Sequence, residues 1–204
     1  MITLLVMTDG RRDCITHTIP SALENLRGPI SNKVIHDDSG DPEYATWLWD
    51  TFAPLGFVVH STPGRSGFDG AMRSAWAWLR EHDRNEWVFH LEDDFTFMEP
   101  IDLKAMAGVL DSLPYVVQMA LERQPLTSGE QTHGIVKRPD RHYSDAGDIW
   151  REHREFFTTN PSLYRRSLID REWPSGPRSE GMFSIALFTD PNVVSAYWGT
   201  GQLV

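Results

Sequence analysis

Short apolar runs alternate with amphipathic stretches along the first half of the chain. Residues 2–7 form a continuous apolar run, which is typical of a strand covered on both faces. Residues 33–36, 57–59 and 87–91 are read as three further short strands. The pattern therefore predicts four buried strands, and each of them is followed by polar or acidic residues.

Helical periodicity fills the intervals between these runs. Residues 43–52 and 71–81 carry apolar side chains at helical spacing. A helix is also predicted over residues 20–26, with Thr18 as its N-cap and Pro20 in its first turn. Strands separated by helices indicate an α/β fold with a mainly parallel central sheet flanked by helices.

The second half of the chain is less regular. Residues 101–113 are predicted to form a helix and residues 115–122 a strand. Residues 191–198 are predicted to form a last helix, capped by Asp190. A polar stretch covers residues 123–154, and connections of this length are usually functional or mobile.

Composition is that of one globular domain. The chain has 204 residues, of which 40% are hydrophobic, so it is long enough for one well-buried core and short for two. We therefore predict a single domain over residues 1–204. The single cysteine, Cys14, excludes an internal disulfide and fits a reducing compartment. No apolar run approaches membrane-spanning length, so we expect a cytoplasmic protein without a membrane span.

The net charge and the distribution of basic residues indicate which partners the chain could bind. The formal net charge is −10, which disfavours a general nucleic-acid coat protein, because such binding draws most of its affinity from neutralised phosphates. Basic residues nevertheless cluster between residues 137 and 171, with aromatic residues such as Trp150 and Tyr164 interleaved. This cluster is either a solvated polar surface or a groove for an anionic polymer.

Acidic and polar residues gather where the predicted strands end. In parallel sheets the ligands bind at the carboxyl ends of the strands, so these residues are expected to share one edge. The fourth strand ends in Glu92, Asp93 and Asp94, whose like charges repel one another unless a cation lies among them. Carboxylate oxygens suit Mg²⁺ and Mn²⁺. The alternative is a solvated loop without a ligand.

The order of these segments resembles the GT-A glycosyltransferases, most closely the family 2-like ones. Residues 34–40 (Val-Ile-His-Asp-Asp-Ser-Gly) look like the family's Val-Asp-Asp-Gly-Ser signature, and residues 65–73 look like its glycine-containing segment before the third helix. Residues 91–94 (Leu-Glu-Asp-Asp) look like its DxD element. Residues 160–165 and 179–183 resemble the acceptor-side half.

The resemblance implies a GT-A domain, a Rossmann-like nucleotide-diphospho-sugar transferase fold. Residues 1–98 would be the nucleotide-sugar-binding half and residues 99–204 the acceptor-side half. The implied activity is metal-dependent transfer of a sugar from a nucleotide-diphosphate sugar, with a UDP-sugar as the expected donor, to an acceptor hydroxyl. The donor site would use five residues: Thr8 and Asp9 at the nucleoside, Asp38 at the nucleobase edge, Arg65 near the base or diphosphate, and Asp93 at the ribose or sugar.

The resemblance also assigns the metal and the base. Asp94 would bind the Mn²⁺ or Mg²⁺ that bridges the two phosphates, and Glu180 would be the general base of an inverting transfer. Such a base must lie within hydrogen-bond reach of the acceptor hydroxyl, opposite the leaving diphosphate. The alternative for Glu180 is an ordinary glutamate at a helix N-terminus. His90 is interpreted as a core residue rather than a metal ligand.

Two other functions stay open. A GT-A-like nucleotidyltransferase would carry a glycine and a basic residue after the first strand, and residues 8–12 (Thr-Asp-Gly-Arg-Arg) contain both. A non-catalytic nucleotide- or carbohydrate-binding module is the second. The family often supplies a further ligand, frequently a histidine, near the chain's end, and residues 197–204 contain none; either the chain is trimmed or that ligand comes from elsewhere.

The acceptor is also open. Small GT-A enzymes that resemble this sequence occur among bacteriophages that glycosylate hydroxymethylated DNA bases. The aromatic side chains that lie beside basic ones in the sequence would also suit stacking on extruded bases. The other candidates are a saccharide, a lipid-linked or a protein hydroxyl. Nothing in the sequence indicates an oligomeric state.

Overall fold

The computed structural model describes residues 1–122, 150–154, 156–199 and 203–204. The strands are β1 (Ile2–Thr8), β2 (Leu26–Arg27), β3 (Ile30–Asp37), β4 (Phe57–Ser61), β5 (Trp87–Glu92), β6 (Ile101–Asp102), β7 (Val116–Leu121), β8 (Trp150–His153), β9 (Ser162–Arg165) and β10 (Val194–Trp198). The α-helices are α1 (Arg12–Asn25), α2 (Pro42–Phe52), α3 (Gly67–His82), α4 (Leu103–Ser112) and α5 (Ser179–Leu187). Short 3₁₀ helices cover Ala53–Leu55 and Arg166–Asp170.

One large sheet organises the described part of the chain. Its strand order is β4-β3-β1-β5-β9-β7-β10-β8, and β2 pairs with β6 in a separate two-stranded sheet. Strands β4, β3, β1 and β5 are all parallel. Strand β9 runs antiparallel between β5 and β7, whereas β10 is parallel to β7. The α/β fold with a mainly parallel sheet is thus confirmed.

The central strand β1 shows why most of its residues are apolar. All seven residues of β1 are buried. Leu4 and Val6 pack in the same apolar cluster as Ile15 of α1, while Leu5 packs in a second cluster with Trp76 of α3. Because successive side chains of a strand point to opposite faces, helices on both sides of the sheet require an unbroken apolar run.

The helix predicted over residues 191–198 is wrong, because Val194–Trp198 form strand β10. Asp190 does not cap a helix: its carboxylate accepts from the backbone N–H of Asn192, within a turn. Strand β10 lies between β7 and β8 and hydrogen-bonds to both. Pairing on both edges therefore outweighs the local helix-start signal of Asp190 and Pro191.

Two other predicted helices have different bounds. Helix α1 begins at Arg12 and contains Pro20 in its interior instead of at its start. Buried Thr18 is not an N-cap; its hydroxyl donates to the backbone carbonyl of Asp93 at 2.6 Å. The helix predicted from residue 101 begins at Leu103, because Ile101 and Asp102 pair with β2 and Asp102 caps the helix.

The remaining predicted strands and helices of the first half are present within a few residues of their expected bounds. Of the polar stretch over residues 123–154, residues 123–149 lie outside the described residues, and Trp150–His153 form the edge strand β8. In the described ranges, no helix is both long and apolar enough to cross a membrane.

Candidate active site

The carboxyl ends of β1, β3 and β5 meet at one edge of the sheet. The hydroxyl of Thr8, at the end of β1, donates to Asp93 Oδ2 at 2.5 Å and lies 2.7 Å from the hydroxyl of Tyr44. Since the Thr8 proton is given to Asp93, Tyr44 donates to Thr8. The first and fourth predicted strands are therefore joined at the position where their polar ends were expected to meet.

A cavity of about 260 Å³ opens at this edge. Four of the five residues expected at the donor, Thr8, Asp9, Asp38 and Arg65, line it. The rest of the lining is Met7, Arg11, Gly67, Phe68, Ala71, Met72 and Glu92. Asp93, the fifth expected residue, does not line the cavity and is fully buried.

Asp38 holds the start of α3. Its carboxylate accepts from the backbone N–H groups of Ser66 and Gly67, the latter at 2.8 Å, and from the hydroxyl of Thr62 at 3.2 Å. These bonds satisfy N–H groups that the first turn of a helix leaves without partners. A nucleobase edge that approached Asp38 would have to share an acceptor that is already well occupied.

Gly40 allows this loop to close. Its φ is 68°, a left-handed conformation that L side chains rarely adopt. A Cβ at this position would lie only 2.7 Å from the backbone nitrogen of Arg65. Glycine is therefore required where the loop after β3 passes the segment that carries Arg65 into the cavity.

Arg11 is the site residue that sequence reasoning missed. Its guanidinium lies among three carboxylates: Nη1 is 2.9 Å from Asp94 Oδ2, Nε is 3.2 Å from Asp9 Oδ1, and Nη2 contacts Asp93 Oδ1. Burial disfavours the charged guanidinium, but the charges of Asp93 and Asp94 outweigh that effect and raise the pKa of Arg11. The only signal in the sequence was the Gly10-Arg11-Arg12 segment after β1.

The carboxylates at the end of β5 are electrostatically strained. Burial raises the pKa of Asp93 to about 6, even though Thr8 and Arg11 favour its charged form. Burial likewise raises the pKa of Glu92 to about 7, and the charges of Asp94 and Glu180 add to that rise. The raised pKa values agree with the repulsion that was expected among these carboxylates. The positive charge of Arg11 offsets part of that repulsion.

Glu180 is the second residue of α5 and faces the same acidic edge. Its Oε1 accepts from the backbone N–H of Thr159 at 2.8 Å and from the Thr159 hydroxyl at 3.1 Å. The Thr159 side chain also favours the charged form of Glu92 and so limits the rise of the Glu92 pKa. Glu180 is thus both a glutamate in a helix first turn and a carboxylate held near the cavity.

His90 is a core residue, as interpreted from the sequence. It is 1% exposed, and neither ring nitrogen has a hydrogen-bond partner among the described residues. Burial lowers its pKa to about 3. A neutral, enclosed imidazole of this kind contributes packing.

The carboxylate oxygens at the acidic edge fit one or two ligand positions of a hard divalent cation. The other ligands of such a cation would come from groups outside this cluster. Among the described residues no group of three or more His, Cys, Asp or Glu side chains could hold a metal by itself. Asp94 is 42% exposed and presents carboxylate oxygens, and Asp93 Oδ1 is buried without a hydrogen bond. Mg²⁺ commonly binds through one or two carboxylates together with substrate phosphates, which matches this arrangement.

Four arginines of the basic cluster bind to the chain itself. Arg151 pairs with Glu122 at 2.7 Å, and Arg154 donates to the carbonyls of Phe188 and Asp190. Arg165 donates to the carbonyl of Leu110, and Arg166 donates to the carbonyls of Asp83 and Arg80. These arginines join elements of the fold, which favours the surface interpretation over a groove for an anionic polymer. Lys137, Arg138 and Arg141 lie outside the described residues.

Comparison of the structure with solved structures identifies the fold. A TarS structure from S. aureus (residues 1–349) has a TM-score of 0.68 and 15% identity, with 99% of this chain and 59% of that chain covered. The mannosyltransferase PcManGT of Pyrobaculum calidifontis, in complex with GDP-Man and Mn²⁺, has a TM-score of 0.63 and 15% identity, with 95% and 53% covered. A CMP:2-keto-3-deoxy-manno-octonic acid synthetase complexed with CTP has a TM-score of 0.57 and 12% identity, with 98% and 92% covered.

These matches establish the GT-A fold, as the sequence predicted. At this level of identity they show the fold alone. The chain spans roughly three-fifths of the TarS 1–349 structure and about half of the mannosyltransferase. No protein-family model matches the chain, and no curated protein matches it in sequence.

Proposed function

We propose that the chain is a glycosyltransferase that moves a sugar from a nucleotide-diphosphate sugar, with a UDP-sugar as donor, to an acceptor hydroxyl. The observation that carries the proposal is the convergence of Thr8, Asp9, Asp38 and Arg65 on one cavity at the acidic edge of a GT-A sheet. TarS has also been solved with UDP and with UDP-GlcNAc, and PcManGT with GDP-Man, which supports a nucleotide-sugar donor.

The donor side of the proposal assigns one task to each residue. Thr8 and Asp9 contact the nucleoside, Asp38 faces the nucleobase edge, and Arg65 binds near the base or diphosphate. Asp93 is assigned to the ribose or sugar, and because it is fully buried with its Oδ1 against Arg11, that contact requires Arg11 to move away. Asp94 would hold Mn²⁺ or Mg²⁺, which when bound would offset the negative charge of the leaving diphosphate. Crystallisation of PcManGT with Mn²⁺ supports a divalent metal at this fold.

Glu180 is the proposed general base of an inverting transfer. The acceptor oxygen attacks the anomeric carbon on the face opposite the diphosphate, the bond to the diphosphate oxygen breaks, and Glu180 takes the hydroxyl proton. The two hydrogen bonds from Thr159 orient the Glu180 carboxylate.

Donor binding is tested by thermal shift with a panel of nucleotides and nucleotide sugars, with and without Mn²⁺. We expect UDP or a UDP-sugar to raise the melting temperature only with Mn²⁺, because the metal joins Asp94 to the diphosphate. Asp94→Ala is expected to abolish that rise. The matched control is Asp50→Ala, since Asp50 is exposed on α2. An Asp94→Ala protein that keeps the full metal-dependent shift would show that the site assignment is wrong.

A GT-A nucleotidyltransferase is the second candidate. One argument for it is the Arg11 guanidinium in the cavity, because a basic residue after β1 would bind a triphosphate there. A second argument is the similarity in fold and length to the CTP-bound synthetase. The products distinguish the two reactions. Glycosyl transfer releases a nucleoside diphosphate, whereas nucleotidyl transfer releases pyrophosphate. A non-catalytic binding module would bind the donor and release neither.

The acceptor hydroxyl belongs either to a hydroxymethylated base in DNA or to a saccharide, a lipid-linked group or a protein. Among the described basic residues, Arg151, Arg154, Arg165 and Arg166 are engaged within the fold, which gives no support to DNA. Activity on DNA that falls steeply with added salt would favour the DNA acceptor, because phosphate contacts release counterions.

A further inference from the structure

The Arg11 side chain has two possible sets of partners within its reach. It contacts Asp9, Asp93 and Asp94, and it also lines the cavity that the donor is proposed to fill. Its side chain is 44% exposed, and its backbone is fixed at the start of α1. The guanidinium can therefore change position by side-chain rotation alone, without any movement of the sheet.

The three carboxylates differ in solvent exposure and in the contacts that hold them. Asp93 is fully buried and fixed by the Thr8 hydroxyl, and its Oδ1 receives no hydrogen bond of good geometry, only the ionic contact with Arg11. Asp94 is 42% exposed. A divalent cation that binds Asp94 would come close to a guanidinium already in contact with the same carboxylate. The two cations repel each other, so they cannot both occupy the cluster without cost.

We propose that Arg11 is the resident cation between Asp93 and Asp94 in the donor-free protein, while Arg65 pairs with Asp9, and that a divalent metal and a nucleoside diphosphate displace the Arg11 side chain together. The guanidinium then leaves the carboxylates for the diphosphate, whose oxygens match its planar fork of donors. This inference rests on the proposed function and deepens it, because it makes Arg11 a positioning residue of the donor site.

A consequence is positive coupling between metal and nucleotide. Without nucleotide the metal must separate Arg11 from Asp93 and Asp94 and leave the guanidinium only Asp9, which also pairs with Arg65. With nucleotide present, the diphosphate receives the guanidinium, and the metal gains phosphate ligands. Coupling of this kind is reciprocal, so Mn²⁺ and UDP each strengthen the binding of the other by the same factor.

The experiment measures Mn²⁺ affinity by titration calorimetry and by electron paramagnetic resonance, without nucleotide and at saturating UDP. The variants are Arg11→Gln, Arg11→Lys and Arg12→Gln. Arg12 is the matched control, because its guanidinium lies 5.0 Å from the Trp47 ring centroid and contacts none of the three carboxylates among the described ion pairs.

Removal of the resident cation should strengthen metal binding where no nucleotide is present. We expect Arg11→Gln to bind Mn²⁺ about tenfold more tightly than the wild type without UDP, and to bind UDP about tenfold more weakly with Mn²⁺. Arg11→Lys retains a cation and is expected to keep donor-free Mn²⁺ affinity near that of the wild type. Arg12→Gln should match the wild type in both measurements. Circular dichroism establishes that each variant is folded.

The outcomes separate this inference from the proposed function. If the wild type binds UDP with Mn²⁺ but Arg11→Gln shows unchanged or weaker donor-free Mn²⁺ affinity, the resident-cation proposal is wrong while the donor site stands. If the wild type and Arg12→Gln bind no UDP with Mn²⁺, the proposed function fails, and this inference fails with it.

Discussion

At the scale of single residues, burial and partners distinguish neighbouring carboxylates. Asp93 is enclosed and bonded to Thr8, and burial raises its pKa to about 6. Asp94, the next residue, is half-exposed and touches only one guanidinium in the described structure. Glu180 is held by two hydrogen bonds from Thr159. Carboxylates of the same region thus differ in environment: one is buried, one is open to solvent and one is held in place by hydrogen bonds.

The role of Glu180 is tested by a substitution that keeps its shape. Glu180→Gln should keep a hydrogen-bond acceptor for Thr159 but cannot take a proton. We expect kcat for UDP release in the presence of acceptor to fall by about 10²- to 10⁴-fold, with little change in UDP affinity. Glu81→Gln, at an exposed position of α3, is the control. A Glu180→Gln enzyme with normal kcat would assign this glutamate to α5 stability alone.

At the scale of elements, the sheet edge and the helix ends are built together. Asp38 follows β3, yet its carboxylate satisfies the first N–H groups of α3, 28 and 29 residues later in the chain. Asp41 performs the same task locally for α2, where it accepts from the N–H of Glu43 at 2.9 Å. The two aspartates allow the structural and the donor-binding roles to be separated.

We expect Asp38→Ala to lower the free energy of unfolding by about 2 kcal/mol, because several donors at the start of α3 lose a charged acceptor. It should also weaken UDP binding, since α3 and Arg65 border the cavity. Asp41→Ala is expected to cost about 1 kcal/mol as the loss of an ordinary cap, with UDP affinity unchanged. Urea unfolding and UDP titration measure both quantities. Equal effects of the two substitutions on UDP affinity would contradict the placement of Asp38 at the donor site.

At the scale of the whole molecule, several histidines are enclosed by the sheet and its helices. Burial lowers the pKa of His36 to about 4, and His60 adds to that effect across a 2.9 Å contact between the two Nδ1 atoms. Burial lowers the pKa of His90 to about 3 and that of His153 to about 4. These rings stay neutral in the folded protein at pH values where they are protonated in the unfolded chain.

The buried histidines should therefore lower stability as the pH falls from about 6.5 towards 4, whereas the raised pKa values of Glu92 and Asp93 act in the opposite direction. In this window the histidines of the unfolded chain bind protons that the folded protein excludes, so their protonation favours unfolding. For His90 the loss between pH 7 and pH 5 is about 2 kcal/mol. Urea unfolding at both pH values should show a smaller pH-dependent loss for His90→Phe than for the wild type. His17→Phe, at an exposed position of α1, should leave the loss unchanged. An unaltered loss in His90→Phe would mean that His90 is not excluded from protonation by folding.

The sequence by itself determined the parts of this protein that depend on short-range pattern. The four apolar runs and the intervening periodicity specified β1, β3, β4, β5 and most of α2 and α3, because burial on both faces requires apolar residues at neighbouring positions. It also determined that Thr8, Asp38 and Asp93 lie near one another, since parallel strands bring their carboxyl ends to one edge.

Only the tertiary structure decided which of these groups touch. Arg11 meets Asp94, 83 residues away, and Asp38 meets the start of α3, because the sheet and its crossovers place distant segments side by side. Strand β10 exists because β7 and β8 lie on both of its edges, although Asp190 and Pro191 indicate a helix locally. Hydrogen bonds and ion pairs between remote segments form only after the sheet closes, and no periodicity in the sequence specifies them.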